Sequence, residues 1–149
     1  MEHPRVSPAE WWLKLLLRAN GVLGLLAIGA VAMPHAWLAW SASKVEPDMR
    51  VFLLVPYLAR LLSAFYVLLG GLLLVFAGDV RRYRLPIQIV ALWVWFGVVA
   101  LFLPATQCAS VLLQHWFAWC VFFDGLYGLG VSSAILILQR RIAREAPET

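Results

Sequence analysis

Between Leu85 and Phe123 the chain runs 39 residues without a single Lys, Arg, Asp or Glu. A membrane-spanning helix needs about 20 apolar residues, so this run predicts two spans and a turn. Similar charge-free stretches occupy Ala19–Ser43 and Leu61–Gly78. Only 13% of the 149 residues are charged, whereas a soluble domain carries about 25%. We therefore expect an all-α integral membrane protein, a bundle of four transmembrane helices.

Prolines and capping residues define the predicted limits of the spans. Ser7-Pro8-Ala9-Glu10 has the spacing of a capping box with Pro at the first helical position, so the first helix should begin at Pro8. Pro34 and Pro104 should end the first and third spans. The predicted spans are residues 8–33, 57–78, 86–103 and 116–138, within a single membrane domain of residues 1–149.

The basic residues predict the orientation of the spans. Three groups fall on one side of a four-span arrangement: Arg5, Lys14 and Arg18; Arg81, Arg82 and Arg84; Arg140, Arg141 and Arg144. The opposite loops hold only Lys44 and Arg50. The positive-inside rule then places both termini and the Asp79–Leu85 loop in the cytoplasm of a bacterial inner membrane, and leaves a long outer loop at Pro34–Val55. Contact with RNA is the competing interpretation of these basic groups, which we disfavour, so no nucleic acid partner is expected.

Small residues predict where helices approach closely, because contacts between helices in a bilayer depend on such residues. The candidates are Gly21, Gly24 and Gly29 in the first span, Ala59 and Ser63 in the second, and Gly128 with Ser132 in the fourth. They favour a compact bundle.

The sequence places Arg60 inside the second predicted span and Asp124 inside the fourth. The two spans run in the same direction, and the residues differ in depth by only about 6 Å at helical rise. An intramembrane charge is tolerated mainly when it faces the interior and finds a partner. We therefore predict an ion pair between Arg60 and Asp124, supported by Tyr66 and Tyr127 from neighbouring turns. Asn20 is predicted to be a buried amide that hydrogen-bonds across helices.

Cysteine and histidine residues suggest two further kinds of chemistry. Cys108 and Cys120 both lie towards the outer side, where a disulfide is geometrically open, but the lack of a Cys-x-x-Cys pair argues against thiol redox catalysis. His35 and His115 suggest paired haem ligands, yet neither lies well inside a span. The sequence shows no metal-ligand spacing, phosphate-binding Gly loop or Ser/His/Asp arrangement. We expect no catalytic residue, no cofactor and no metal.

A pattern in the second span and the loop after it resembles a known group of proteins. Tyr57-Leu58-Ala59-Arg60 precedes Ser63-Ala64-Phe65-Tyr66 and Gly70, and Asp79-Val80-Arg81-Arg82-Tyr83 follows. This pattern resembles small uncharacterised bacterial four-helix inner-membrane proteins, the BphX-like and related domain-of-unknown-function families. Asp124-Gly125 in the last span fits the same pattern. The resemblance implies the four-span fold and assigns no catalytic residue.

Two classes of function remain open. The first is a non-enzymatic accessory or structural membrane component, whose basic inner loops meet anionic lipid headgroups and whose partners are lipids, another membrane protein or a second copy. The second is a small-molecule or proton pathway, or a membrane enzyme, centred on Arg60 and Asp124. A dry interior with a satisfied ion pair would support the first class, and a polar cavity beside Asp124 the second. We favour the first.

Overall fold

The computed structural model describes residues 7–34, 36–37, 40, 54–105 and 116–145. In these ranges every regular element is an α-helix, which confirms the all-α part of the predicted fold class. The helices are α1 (Pro8–Leu26), α2 (Ile28–Val31), α3 (Leu54–Gly78), α4 (Arg84–Ala105) and α5 (Trp116–Glu145). His35, Cys108, His115 and the side chain of Cys120 lie outside the described part of the chain, so the disulfide and haem alternatives stay untested.

Three helical segments are long and apolar enough to cross a membrane, namely Pro8–Val31, Pro56–Gly78 and Phe122–Glu145. Arg84–Ala100 is a shorter apolar helix. Large apolar side chains are exposed along α3: Tyr57, Leu58, Leu61, Leu62, Phe65, Leu68, Leu72 and Val75. Monomeric soluble proteins rarely expose so continuous an apolar surface. The helices therefore have the composition and the surface of a membrane protein.

The first predicted span is interrupted. The backbone N–H of Ala27 donates to the carbonyl oxygen of Gly24 at 3.2 Å, three residues back instead of four, and α2 begins directly after this tightened turn. The sequence predicted one continuous helix up to Pro34, since Ala27 carries no helix-breaking side chain that would indicate the break.

The fourth predicted span marks only part of its helix. α5 continues past Leu138 to Glu145, because Gln139 and the arginines that follow favour a helix as much as the apolar residues before them do. The end of an apolar run indicates where the hydrocarbon ends, and the helix itself extends further. α4 likewise begins at Arg84, two residues before the predicted third span, and includes Pro104 and Ala105.

The chain divides into two compact units, one formed by Met1–Leu16 and Phe76–Thr149, the other by Leu17–Val75. In the first unit α4 packs against α5. Arg84, at the start of α4, meets Gln139 near the end of α5, while a Cβ on Gly128 would lie 3.5–3.6 Å from Val98 and Val94. The two helices are therefore antiparallel, and Gly128 lies at a helix contact as predicted.

In the second unit α1 and α3 are antiparallel and touch through glycines. A Cβ on Gly21 would lie 3.0 Å from the Gly70 carbonyl oxygen, and a Cβ on Gly24 would lie 2.8 Å from the Tyr66 carbonyl oxygen. The predicted close approach at Gly21 and Gly24 is confirmed. At Gly29, predicted with them, a Cβ would have no atom of the described residues within 4 Å.

Candidate functional site

The start of α1 is fixed by a side-chain cap. The Ser7 hydroxyl oxygen accepts a hydrogen bond from the Glu10 backbone N–H at 3.2 Å, which satisfies one of the N–H groups that a helix start leaves unpaired. The helix begins at Pro8 as the sequence predicted. Glu10 is thereby held in the first turn of α1.

The Glu10 carboxylate binds two cations. Its Oε1 accepts a hydrogen bond from Lys14 Nζ at 2.8 Å, one helical turn along α1. Its Oε2 accepts from Arg81 Nε at 3.1 Å and pairs with the Nη2 of the same guanidinium at 3.0 Å. The Glu10 side chain is only 10% exposed, whereas that of Arg81 is 67% exposed. We call Glu10, Lys14 and Arg81 the carboxylate clamp; it ties the start of α1 to the segment between α3 and α4.

That segment is itself an ordered turn. Asp79 Oδ1 accepts a hydrogen bond from the Arg82 backbone N–H at 3.0 Å, and the Asp79 carbonyl oxygen accepts from the Tyr83 N–H at 3.1 Å. The Arg82 guanidinium lies over the Tyr83 ring, 5.7 Å from its centroid. Asp79 therefore acts as a local cap of this turn.

Gln139 is a buried polar residue of α5 that directly precedes Arg140 and Arg141. It is 2% exposed, and its Nε2 donates to the Arg84 carbonyl oxygen at 3.2 Å. Its Oε1 is buried and has no hydrogen-bond partner within the described residues. This contact brings the end of α5 to the start of α4, so the basic groups of both helices belong to one end of the first unit.

The remaining basic side chains of that end are accessible. Arg82, Arg84, Arg140, Arg141 and Arg144 are all exposed. Together with the clamp they form what we call the basic end of the first unit. Its net positive charge and accessible guanidiniums suit it to bind phosphate groups.

The two residues predicted to form an intramembrane ion pair have the following surroundings. The Arg60 guanidinium donates through Nη2 to the Met33 carbonyl oxygen at 3.2 Å, where a cation is favoured at the end of a helical segment. Asp124 is exposed on α5, within the candidate span Phe122–Glu145. Arg60 and Asp124 belong to different units, so their pairing stays a prediction.

The three supporting residues each take part in some interaction. Tyr66 and Tyr127 are about half exposed, at 45% and 52%, and Asn20 is partly buried. Their support of an Arg60–Asp124 pair stays a prediction.

Two polar residues at this end of the first unit, Glu10 and Gln139, were not predicted from the sequence to make the contacts described above. Glu10 was assigned to a capping box alone, although its spacing of four residues from Lys14 is typical of a helical ion pair. Gln139 lies one residue beyond the predicted fourth span, and its place directly after the apolar run Ala134–Leu138 was the available signal. Among the described residues, no group of three or more His, Cys, Asp or Glu is placed to hold a metal ion.

Comparison with protein-family models, with curated proteins and with solved structures gives no match for this chain. The resemblance of residues 57–83 to BphX-like families stays an expectation from the sequence.

Proposed function

We propose that the chain is a four-span protein of a bacterial inner membrane, with both termini and the Asp79–Leu85 loop in the cytoplasm. α4 supports the fourth crossing, because its 22 residues cover about 33 Å at helical rise. The hydrocarbon core is about 30 Å thick. The basic end supports the orientation, since cytoplasmic loops of such proteins are rich in Lys and Arg.

Within this arrangement the protein acts as a non-enzymatic accessory or structural component. The observation that carries this proposal is the basic end: its polar groups either tie elements together, as Glu10 and Gln139 do, or stay exposed as guanidiniums. Neither arrangement resembles a nucleophile with its base or a pair of catalytic carboxylates. Exposed guanidiniums at a cytoplasmic surface would instead contact anionic headgroups.

Purification in a mild detergent, followed by lipid analysis and native mass spectrometry, tests this role. We expect anionic phospholipids to be enriched over the bulk membrane composition, together with a second copy or another membrane protein. A preparation that carries a chromophore or a tightly bound soluble metabolite, with no lipid enrichment, would contradict the accessory role.

A second candidate function is a small-molecule or proton pathway, or a membrane enzyme, at Arg60 and Asp124. One observation favours it: Asp124 is an exposed carboxylate within a candidate span, and ionisable residues in spans are often functional. The hydrogen bond from Arg60 to the Met33 carbonyl oxygen instead favours a structural role for Arg60. We therefore rank this candidate second.

A further inference from the structure

We propose that the carboxylate clamp binds the phosphate group of an anionic phospholipid, with Lys14 and Arg81 as the ligand-binding residues and Glu10 as the positioning residue. This inference rests on the proposed function, because it requires the basic end to face the cytoplasmic leaflet. It goes further by assigning the lipid contact to one set of side chains.

The clamp leaves hydrogen-bond donors free for a ligand. An ammonium group has three donors and a guanidinium has five. Lys14 Nζ directs a bond to Glu10 Oε1, and Arg81 directs Nε and Nη2 to Glu10 Oε2. Among the described residues no other acceptor takes the remaining N–H groups of the two cations, and the Lys14 and Arg81 side chains are 25% and 67% exposed. Two cations joined through one carboxylate therefore present donors to a single ligand.

Glu10 prepares these cations for binding. A free Lys or Arg side chain loses rotamer freedom when it is immobilised on a ligand, at about 0.5–1.5 kcal/mol each. Here Glu10 already fixes both side chains, and Glu10 is itself buried in the first, Ser7-capped turn of α1. A phosphate thus meets donors that are positioned before it binds, whereas the exposed Arg140 or Arg141 would have to be ordered by the ligand.

The neighbouring residues favour a lipid as the source of the phosphate. Trp11 and Trp12 directly follow Glu10 in the first turns of α1, are 53% and 56% exposed, and contact each other edge to face with ring centroids 4.9 Å apart. Exposed Trp is typical of the interface between hydrocarbon and headgroups. One turn further, Leu15 is exposed and apolar. A phospholipid with its phosphate at the clamp could lay its acyl chains along this side of α1.

The test replaces Glu10 with Gln and follows binding of phosphatidylglycerol and of phosphatidylcholine by native mass spectrometry in detergent. Attraction by overall charge predicts stronger phosphatidylglycerol binding, because the variant gains one positive charge. The clamp predicts the opposite: binding falls about tenfold, the size expected when a charge-assisted hydrogen-bond arrangement is lost. Glu145→Gln is the matched control, with the same charge change at the exposed end of α5, and should leave binding within about twofold because of screening.

A second pair of variants decides the matter if Glu10→Gln does not fold. Lys14→Gln and Arg140→Gln each remove one positive charge, and circular dichroism checks their helix content. We expect about tenfold weaker phosphatidylglycerol binding for Lys14→Gln and less than about fivefold for Arg140→Gln, the effect of one basic residue near an anionic surface. Equal losses in this pair would overturn the clamp.

The outcomes separate this inference from the proposed function. If wild type prefers phosphatidylglycerol and Glu10→Gln binds it as well or better, the clamp is wrong and the general basic surface remains. If wild type shows no preference over phosphatidylcholine, both proposals fail. Inorganic phosphate and glycerol phosphate serve as competitors, and displacement of the lipid by either one at similar concentration would identify a soluble anion as the ligand and overturn the lipid assignment.

Discussion

Gly24 of α1 and Gly70 of α3 meet backbone to backbone, since a Cβ placed on Gly24 would lie 2.9 Å from the Gly70 Cα. In the other direction, a Cβ on Gly70 would lie 2.7 Å from the Gly21 carbonyl oxygen and 2.9 Å from the Leu25 nitrogen. Every one of these neighbours is a backbone atom, so no side-chain rotation can relieve the contact. Only glycine allows the two helices this approach.

Replacement of Gly70 by Ala should therefore destabilise the second unit. The added methyl group must push α1 and α3 apart, and overpacking of this kind costs about 1–3 kcal/mol. Gly71→Ala is the matched control, because a Cβ on Gly71 would have no atom of the described residues within 4 Å. This substitution should stabilise the helix by up to about 1 kcal/mol, the helix preference of Ala over Gly. Unfolding by sodium dodecyl sulfate in mixed micelles, followed by circular dichroism, measures both. Equal effects of the two substitutions would contradict the contact.

Two substitutions of Gln139 test its buried hydrogen bond. Gln139→Leu removes the bond to the Arg84 carbonyl oxygen together with the buried Oε1 that has no partner in the described residues. Because the loss of a bond and the removal of an unsatisfied group oppose each other, we expect a change within about 1 kcal/mol. Gln139→Glu leaves a buried carboxylate without the donor and should destabilise by about 1–3 kcal/mol. Unfolding in sodium dodecyl sulfate compares the stability of the two variants. If Gln139→Leu is as unstable as Gln139→Glu, the Oε1 of Gln139 accepts a hydrogen bond in the native protein.

The sequence predicted the features that depend on neighbours along the chain. The apolar runs give the helices, and Ser7 with Pro8 gives the first residue of α1. The contacts between helices were predicted less well, because they depend on which residues of two distant segments meet. Gly21 and Gly24 indicate a close approach, but their spacing does not identify Gly70 as the residue they meet.

The clamp was beyond sequence reasoning for a similar reason. The capping-box spacing already explains a Glu at position 10, so the sequence does not call for a distant partner. That partner, Arg81, lies 71 residues further along the chain. Nothing in the loop Asp79–Tyr83 shows which of its arginines turns towards α1. That choice depends on the capped turn at Asp79, which sets the direction of Arg81 and Arg82.

The predicted pairing of Arg60 with Asp124 can be tested by a charge swap. Arg60→Asp and Asp124→Arg should each lower the yield of folded protein, because each leaves two like charges facing one another in the apolar region. The double variant restores an opposite pair and should recover part of that yield. Fluorescence-detected size-exclusion chromatography measures the monodisperse fraction. A double variant no better than either single variant would rule out the pair, and Arg60 would then be explained by its bond to the Met33 carbonyl oxygen.

The number of crossings can be decided by labelling single cysteines with a membrane-impermeant maleimide. In a background of Cys108→Ser and Cys120→Ser, Arg82→Cys and Arg140→Cys lie at opposite ends of the segment that holds α4 and α5. If both helices cross, the two positions share the cytoplasmic side, and both should be labelled only after the cells are permeabilised. If α4, the shorter apolar helix, does not cross, the label should reach these two positions from opposite sides.

Lys44→Cys, predicted to lie outside, is the control that should react in intact cells. Labelling of Arg82→Cys in intact cells would place the basic end outside, against both the positive-inside rule and the orientation proposed for this protein.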